Sequence, residues 1–189
     1  MKFKLKNAFF SILILLAIPL VIALFIDNEY RVENEILIQQ PKAEVFTYVK
    51  SLRNQDKFSK WATIDPNIKK TYSGTDSTVG FVSAWESDHP EVGKGEQEII
   101  KINEGERIDF EFRFFEPFEG VYTGYMITES ISENQTKVRW GFDGRMDYPF
   151  NLMLLTSNFQ NTMKKEFGEG LQNLKNQLES VTNEYKYYE

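Results

Sequence analysis

Hydrophobic and polar residues follow three different patterns along this chain of 189 residues. Residues 8–26 are apolar or small almost without interruption, with only Ser11 and Pro19 departing from the run. From residue 68 to residue 146, apolar and polar side chains alternate with a period of two. Residues 152–181 carry apolar side chains at steps of three and four. These spacings predict a membrane-length helix, a set of half-buried strands and an amphipathic helix, in that order.

The period-two region divides into strands at its turn residues. A first β-rich stretch covers residues 30–38, and six further strand candidates cover residues 68–72, 81–86, 95–102, 107–115, 121–130 and 137–146. The clearest alternation runs from Asp109 to Phe114, where three charged residues alternate with three phenylalanines. This pattern is typical of a sheet with one face on the core and one face in water.

Helical segments flank the strands. Pro41 begins one helix, a second short helix is predicted over residues 52–61, and a long helix over residues 152–181 closes the chain. Gly168 and Gly170 lie beside the apolar stripe of the long helix and permit a bend or the close approach of another backbone. The predicted fold class is α+β, with a curved antiparallel sheet of about seven strands wrapped around the long C-terminal helix.

Composition excludes several classes of function. The chain has no cysteine, a single histidine (His89), and 28 acidic against 22 basic residues. Without cysteine there is no disulfide framework and no thiolate chemistry, and one histidine excludes paired-histidine metal sites. The net charge is −9 from residue 27 onward, which disfavours binding to nucleic acid or to anionic lipid surfaces. The sequence therefore predicts no metal, no resident cofactor and no nucleic-acid partner.

The N-terminal apolar run has three interpretations, of which a helix buried in a soluble domain is the weakest. Lys2, Lys4 and Lys6 precede it and the first acidic residue is Asp27, so an uncleaved anchor would keep its amino terminus in the cytoplasm. A cleaved signal peptide is the alternative, although the run is longer than usual and lacks an A-x-A-like site. We expect an anchor over residues 1–28, a domain over residues 29–182 on the periplasmic or extracytoplasmic side, and a polar tail over residues 183–189.

Several segments resemble one superfamily. They are WATIDPNIKKTYSG (61–74), VGFVSAWES (79–87), VGKGEQEI (92–99), ERIDFEFRFFEPFEG (106–120), TKVRWGFDG (136–144) and FGEGLQNLKNQLE (167–179). With the predicted order of elements, they resemble bacterial members of the SRPBCC superfamily, also called START-like or polyketide cyclase/dehydrase-like. The resemblance implies a helix-grip fold with a cavity between the sheet and the C-terminal helix. Because members of the superfamily bind lipids, sterols or polyketides, it also implies a ligand of that kind.

The abundant aromatic residues are the main candidates for binding a ligand in such a cavity. The chain has 16 Phe, nine Tyr and three Trp, and these side chains line apolar pockets as readily as they fill a core. The predicted cavity lining is Trp61, Trp85, Phe110, Phe112, Phe114, Tyr125, Trp140, Phe142, Phe159 and Met163.

Polar candidates for chemistry are few, and each has a simpler structural interpretation. His89 lies in an Asp-His-Pro turn between two strands. Asp65, Asp143 and Asp147 lie at strand ends or loops, where two carboxylates could act as acid and base if burial separated their pKa values. Arg113 and Arg139 alternate with aromatics and are expected to face water.

Three functions remain open on this basis. The first is a membrane-tethered module that binds a hydrophobic or amphipathic small molecule, and the second is a polyketide cyclase/dehydrase-like enzyme. The third is a protein-interaction module with a solid core. The first predicts a cavity, the second adds converging ionisable groups inside it, and the third predicts no cavity at all.

Overall fold

The computed structural model describes residues 2–117 and 119–186. The helices are α1 (Lys2–Ala23), α2 (Lys42–Lys50), α3 (Leu52–Phe58), α4 (Lys60–Ile64) and α5 (Ser157–Lys186), with a 3₁₀ segment at Phe150–Leu155. The strands are β1 (Glu29–Ile38), β2 (Lys69–Ser73), β3 (Val82–Glu86), β4 (Lys94–Asn103), β5 (Arg107–Glu116), β6 (Gly120–Ser132) and β7 (Gln135–Arg145).

The seven strands form one antiparallel sheet in the order β1-β7-β6-β5-β4-β3-β2. Sequential strands are neighbours except for β1, which closes the far edge against β7. Helix α5 packs on the concave face of the sheet, and α2 to α4 cover the rest of that face. This arrangement confirms the predicted α+β helix-grip fold.

The two faces of the sheet differ as the alternation on β5 predicts. Phe110 is fully buried on the concave face, and Phe112 and Phe114 lie on the same side. Asp109 and Glu111 point to the convex face with Arg113.

The convex face carries a charged network centred on Arg113. Its guanidinium donates to Glu98 at 2.8 Å and also to Glu96 and Glu111. These hydrogen bonds raise the pKa of Arg113 above its ordinary value. Arg139 lies on the same face, in register with Glu35.

The helix predicted over residues 52–61 is two helices. Ser59 adopts an extended backbone (φ −62°, ψ 126°) between α3 and α4, and its N–H closes the last turn of α3 on the carbonyl of Gln55 at 2.8 Å. Serine is favoured at such boundaries because its side chain competes with the helical backbone for hydrogen bonds. The break places Phe58 in the core and leaves Trp61 half-buried.

The long helix begins later and ends later than predicted. Residues 150–155 form the 3₁₀ segment, and Thr156 is extended (φ −91°, ψ 127°), so α5 starts at Ser157. At its other end α5 continues to Lys186, so residues 183–186 of the predicted polar tail are helical. The rest of that predicted tail, residues 187–189, lies outside the described residues.

Gly170 explains how closely α5 approaches the sheet. A Cβ at this position would lie 2.8 Å from Cζ3 of Trp140 and 3.4 Å from the carbonyl oxygen of Phe58. Neither neighbour lies at the end of a flexible side chain. The close approach expected from the glycine pair is thus made to a buried ring rather than to a strand backbone.

Helix α1 stands apart from this core. Its 22 residues correspond to about 33 Å at the α-helical rise, and residues 6–23 are long and apolar enough to cross a membrane. From residue 6 onward its apolar side chains are exposed, except for Ala23 at its last residue.

Candidate functional site

A cavity of about 370 Å³ lies between the concave face of the sheet, helices α3 and α4, and the first turns of α5. It is lined by Gln55, Asp56, Ser59, Trp61, Ala62, Ile68, Lys70, Ser83, Trp85, Glu91, Val92, Gln97, Phe112, Phe114, Trp140, Phe142, Phe159, Thr162, Met163, Glu166 and Phe167. Its volume is within the range of small-molecule sites.

Eight of the ten side chains predicted to line a cavity do so. They are Trp61, Trp85, Phe112, Phe114, Trp140, Phe142, Phe159 and Met163. Their part in binding a ligand stays a prediction, but the geometry brings them together around one space.

The structure places Phe110 and Tyr125 elsewhere. Phe110 faces the same side as Phe112 but is fully buried in the packed core. Tyr125 points to the convex face, where its hydroxyl donates to Glu33 Oε2 at 2.6 Å and its ring lies 4.3 Å from the guanidinium of Arg107. Neighbouring residues of a strand point to opposite faces of the sheet, and on β6 it is Met126 that points into the core. Tyr125, the residue before it, therefore points to the convex face.

Trp140 forms the rigid side of the cavity. Its ring meets Phe167 edge-on at 4.8 Å and Phe58 at 5.6 Å between centroids. Trp61 packs against both Trp140 and Phe167 in the same edge-to-face manner. Such interlocked rings have little freedom to rotate, so this wall is preformed.

Trp85 holds the opposite side. Its Nε1 donates to the carbonyl of Val92 at 3.2 Å, and its ring lies 5.7 Å from that of Phe114. Gly95 is its cross-strand neighbour, and a Cβ there would lie 2.6 Å from the Trp85 ring. The glycine therefore lets the indole lie flat on the sheet.

One wall of the cavity is neutral and polar, a feature that the sequence reasoning missed. Gln55, Ser59, Ser83 and Gln97 are all buried, and Nε2 of Gln97 donates to Oε1 of Gln55 at 3.1 Å. Ser83 and Gln97 are directly opposed on β3 and β4. A signal was present in the sequence, because Gln97 occupies the inward phase of β4 between Gly95 and Ile99.

Charged groups lie beside this polar wall. Asp56 Oδ1 accepts from Lys70 Nζ at 2.7 Å, and Asp56 Oδ2 accepts from the hydroxyl of Tyr72 at 2.7 Å. Burial, followed by the hydrogen bond to Asp56, raises the pKa of Tyr72 to about 12. Glu91 is exposed at the rim, and Glu166 lies 3.5 Å from Lys60 Nζ.

The other sequence candidates do not line the cavity. His89 lies in the β3–β4 loop, where Nδ1 accepts from the Glu91 N–H at 3.3 Å. Asp65 accepts from the hydroxyl of Ser87, which holds the pKa of that carboxyl below its usual value. Asp143 pairs with Arg31, and Asp147 with Arg145 at 2.8 Å. Across residues 2–117 and 119–186, no three His, Asp or Glu side chains are grouped to hold a metal ion.

Solved structures share this fold. TTHA0849 from Thermus thermophilus superposes with a TM-score of 0.59 at 18% identity, over 80% of this chain and 99% of that chain. For the Aha1 dimer from Colwellia psychrerythraea the TM-score is 0.53 at 17% identity, over 78% and 94% of the two chains. DynU16, from the dynemicin biosynthetic locus, gives 0.54 at 14% identity, over 80% of this chain and 48% of its own. No curated protein matches the sequence.

Solved structures this distant in sequence show the fold alone, and a comparison with sequence models of protein families identifies the family. The model for "Polyketide cyclase / dehydrase and lipid transport" matches residues 29–179, which span β1 to α5 and contain every residue that lines the cavity. The chain therefore belongs to the polyketide cyclase/dehydrase and lipid transport family, within the SRPBCC superfamily.

Proposed function

We propose that this protein is a membrane-tethered module that binds a hydrophobic or amphipathic small molecule in the cavity between sheet and α5. The observation that carries the proposal is the cavity itself, walled mainly by aromatic side chains from three strands, α4 and α5. Apolar walls favour apolar ligands because burial removes both surfaces from water.

The cavity volume limits the size of the ligand. At about 30 Å³ for each water-sized group, 370 Å³ holds about 12 such groups. A micromolar Kd corresponds to about −8 kcal/mol, or about −0.7 kcal/mol for each of about 12 non-hydrogen atoms. That value is ordinary for a small ligand, so micromolar binding needs no further contacts.

The tether rests on α1 and on its junction with the domain. Asn151, which is 3% exposed, donates through Nδ2 to the carbonyl oxygens of Ala23 at 2.8 Å and Ile26 at 3.0 Å. These two carbonyls lie at the end of α1 and just after it, where carbonyls lack the i→i+4 partner of a helix interior. The Ala23 carbonyl otherwise accepts only a long backbone hydrogen bond from the Ile26 N–H at 3.4 Å among the described residues. Cleavage within this junction would remove a partner of a buried amide, which supports an anchor rather than a signal peptide.

Exposed apolar side chains surround the junction. Phe25, Phe150 and Leu155 are 85%, 67% and 63% exposed. With α1 across a bilayer, these residues would lie at the level of the membrane surface, where such side chains are stabilised. The three lysines ahead of the apolar run favour a cytoplasmic amino terminus and a domain on the opposite side.

An enzyme of the cyclase/dehydrase type is the second candidate, because ionisable side chains do line the cavity. Asp56 and Lys70 come from different elements and meet there. Both oxygens of Asp56 are already engaged, one by Lys70 and one by Tyr72, so it is poorly placed to take a proton from a substrate. Binding is favoured for this reason. The third hypothesis, a protein-interaction module, predicted a solid core, and the cavity argues against it.

The test is native mass spectrometry of the full chain, extracted in detergent that is removed in the gas phase. We expect a bound small molecule of up to about 12 non-hydrogen atoms, which Ala62→Trp removes by filling the cavity. Thr63→Trp is the matched control, because it adds the same side chain to an exposed position of α4 outside the cavity. An adduct that persists in Ala62→Trp would contradict the proposal. So would a protein without adduct whose unfolding temperature does not change with any of a panel of apolar ligands.

A further inference from the structure

We infer that the cavity selects a ligand whose polar head is uncharged, such as an alcohol, a ketone or an amide on an apolar body. The inference rests on the proposed function and adds the chemical class of the head group. It is carried by the two glutamines in the cavity wall and by the charges around them.

Gln55 and Gln97 can form hydrogen bonds to a ligand in addition to the one between them. They are 5% and 8% exposed, and both line the cavity. Their single mutual hydrogen bond joins Nε2 of Gln97 to Oε1 of Gln55. Among the described residues, the Gln55 amide nitrogen and the Gln97 amide oxygen have no protein partner. Exchanging O and N in both amides leaves the same result, one amide nitrogen and one amide oxygen without a protein partner.

Two serines extend the same wall. Ser83 lies opposite Gln97 in the β3–β4 register, and Ser59 lies one helical turn after Gln55 at the start of α4. Both are buried, and neither hydroxyl bonds to another group in the described part of the chain. These polar groups face the cavity, where water or a ligand can reach them. A ligand that displaces the water gains free energy if it offers a hydroxyl, carbonyl or amide, because a purely apolar ligand would leave these groups without a hydrogen bond.

The surrounding charges disfavour an anionic head. Among the residues that the structure describes, Lys70 is the one basic side chain in the cavity lining, and its ammonium is taken by Asp56 at 2.7 Å. The lining also contains Glu91 and Glu166, and the nearby ammonium of Lys60 is already taken by Glu166 at 3.5 Å and Glu169 at 3.0 Å. A carboxylate or phosphate head would find no free cation there and would be repelled by the glutamates.

A cationic head is disfavoured for a different reason. Asp56 is already paired with Lys70, and Glu166 is within 3.5 Å of Lys60. Glu91 is exposed at the rim, where an ion pair is worth little. The deep polar contacts that remain are those of the neutral wall.

The test compares four ligands with the same ten-carbon chain on the full chain in detergent, at neutral pH. Decanol, decanamide, decanoate and decylamine are titrated singly and in competition, with Kd values from native mass spectrometry and calorimetry. We expect decanol and decanamide to bind at least about tenfold more tightly than decanoate or decylamine.

Gln97→Leu should reduce the preference for decanamide over decanoate by about fivefold or more, because it removes half of the amide pair while keeping the side chain's approximate volume. Gln172→Leu is the control, since Gln172 is exposed on α5 and outside the cavity. Gln55→Leu makes the same test from the helix side should Gln97→Leu fail to fold.

The outcomes separate the two proposals. Binding of none of the four ligands would refute the proposed function. Binding of decanoate or decylamine as tightly as the neutral ligands would overturn the head-group inference and leave the binding function standing. An unchanged preference in both glutamine variants would also overturn it, because recognition would then lie elsewhere in the cavity.

Discussion

Replacing Gly170 by alanine tests whether the rigid wall of the cavity determines how close α5 can lie. The new Cβ would meet the Trp140 ring at 2.8 Å, well inside ordinary contact distance. Trp140 is held by Phe58 and Phe167 and cannot turn away. The helix or the ring must therefore shift, and the cavity wall with it.

A second glycine of α5 isolates this contact from the effect of helix propensity. Alanine gains about 1 kcal/mol over glycine in a helix interior, at Gly168 as at Gly170. At Gly168 the added Cβ would meet Nδ2 of Asn34 at 2.8 Å, the end of a flexible side chain that can move at the cost of its exposed hydrogen bond to the Lys164 carbonyl. Overpacking a core costs about 1–3 kcal/mol. We therefore expect Gly170→Ala to be less stable than Gly168→Ala by about 1–3 kcal/mol.

Urea unfolding of the full chain, followed by tryptophan fluorescence, measures the difference. All three tryptophans lie in β3, β7 and α4, so the signal reports the domain and not α1. In thermal unfolding, the unfolding temperatures of the two variants should differ by about 2–4 °C for each kcal/mol of difference in stability. Equal stability of the two variants within about 0.5 kcal/mol would refute the claim that Trp140 forms an immovable wall.

The remaining contacts support three further predictions. Burial raises the pKa of Tyr30, Tyr72 and Tyr125 to about 12. The stability that these neutral hydroxyls contribute is therefore complete below about pH 10 and is lost as the pH rises through about 12. A spectrophotometric titration should show a group of tyrosines that ionises late in the folded protein and together with the other tyrosines in urea. Asn151→Ala should speed hydrogen exchange of the amides of residues 24–28 about tenfold while domain unfolding hardly changes, and equal protection in the variant would contradict the junction described above. Arg113→Met should destabilise the domain by about 1 kcal/mol at low salt and by less at high salt, because salt screens these partly exposed ion pairs. An equal loss at both salt concentrations in urea unfolding would argue against the network.

The fold was predictable because its main signals are periodic. The alternation over residues 109–114 and the stripe of α5 each repeat one spacing over several turns or residue pairs, and burial enforces that spacing. The boundaries at Ser59 and Thr156 were not predictable in the same way. Each depends on a single residue leaving helical geometry, which a periodic pattern averages out.

The cavity lining was predictable only for its apolar part. Aromatic residues in the inward phase of a strand point into the interior whether they fill a core or line a cavity, so Phe110 and Phe112 look identical in sequence. Which one meets empty space depends on where the short helices leave the sheet uncovered. The polar wall could not be predicted in this way, because Gln55 and Gln97 are 42 positions apart in the sequence and come together only in the folded structure.

The cavity is partly open to solvent, so without a ligand its apolar walls are in contact with water. Exposing apolar surface to water costs about 25 cal/mol for each Å², and Trp140 and Phe142 contribute part of that surface. Water can offset this cost only where it finds hydrogen-bond partners, and the neutral partners lie along the wall formed by Gln55 and Gln97 with the two serines. Beside Trp140 and Phe142 water would find none. A molecule that is apolar along most of its length and carries one neutral hydrogen-bonding group satisfies both regions at once, which is why the same geometry supports both a binding function and an uncharged head group.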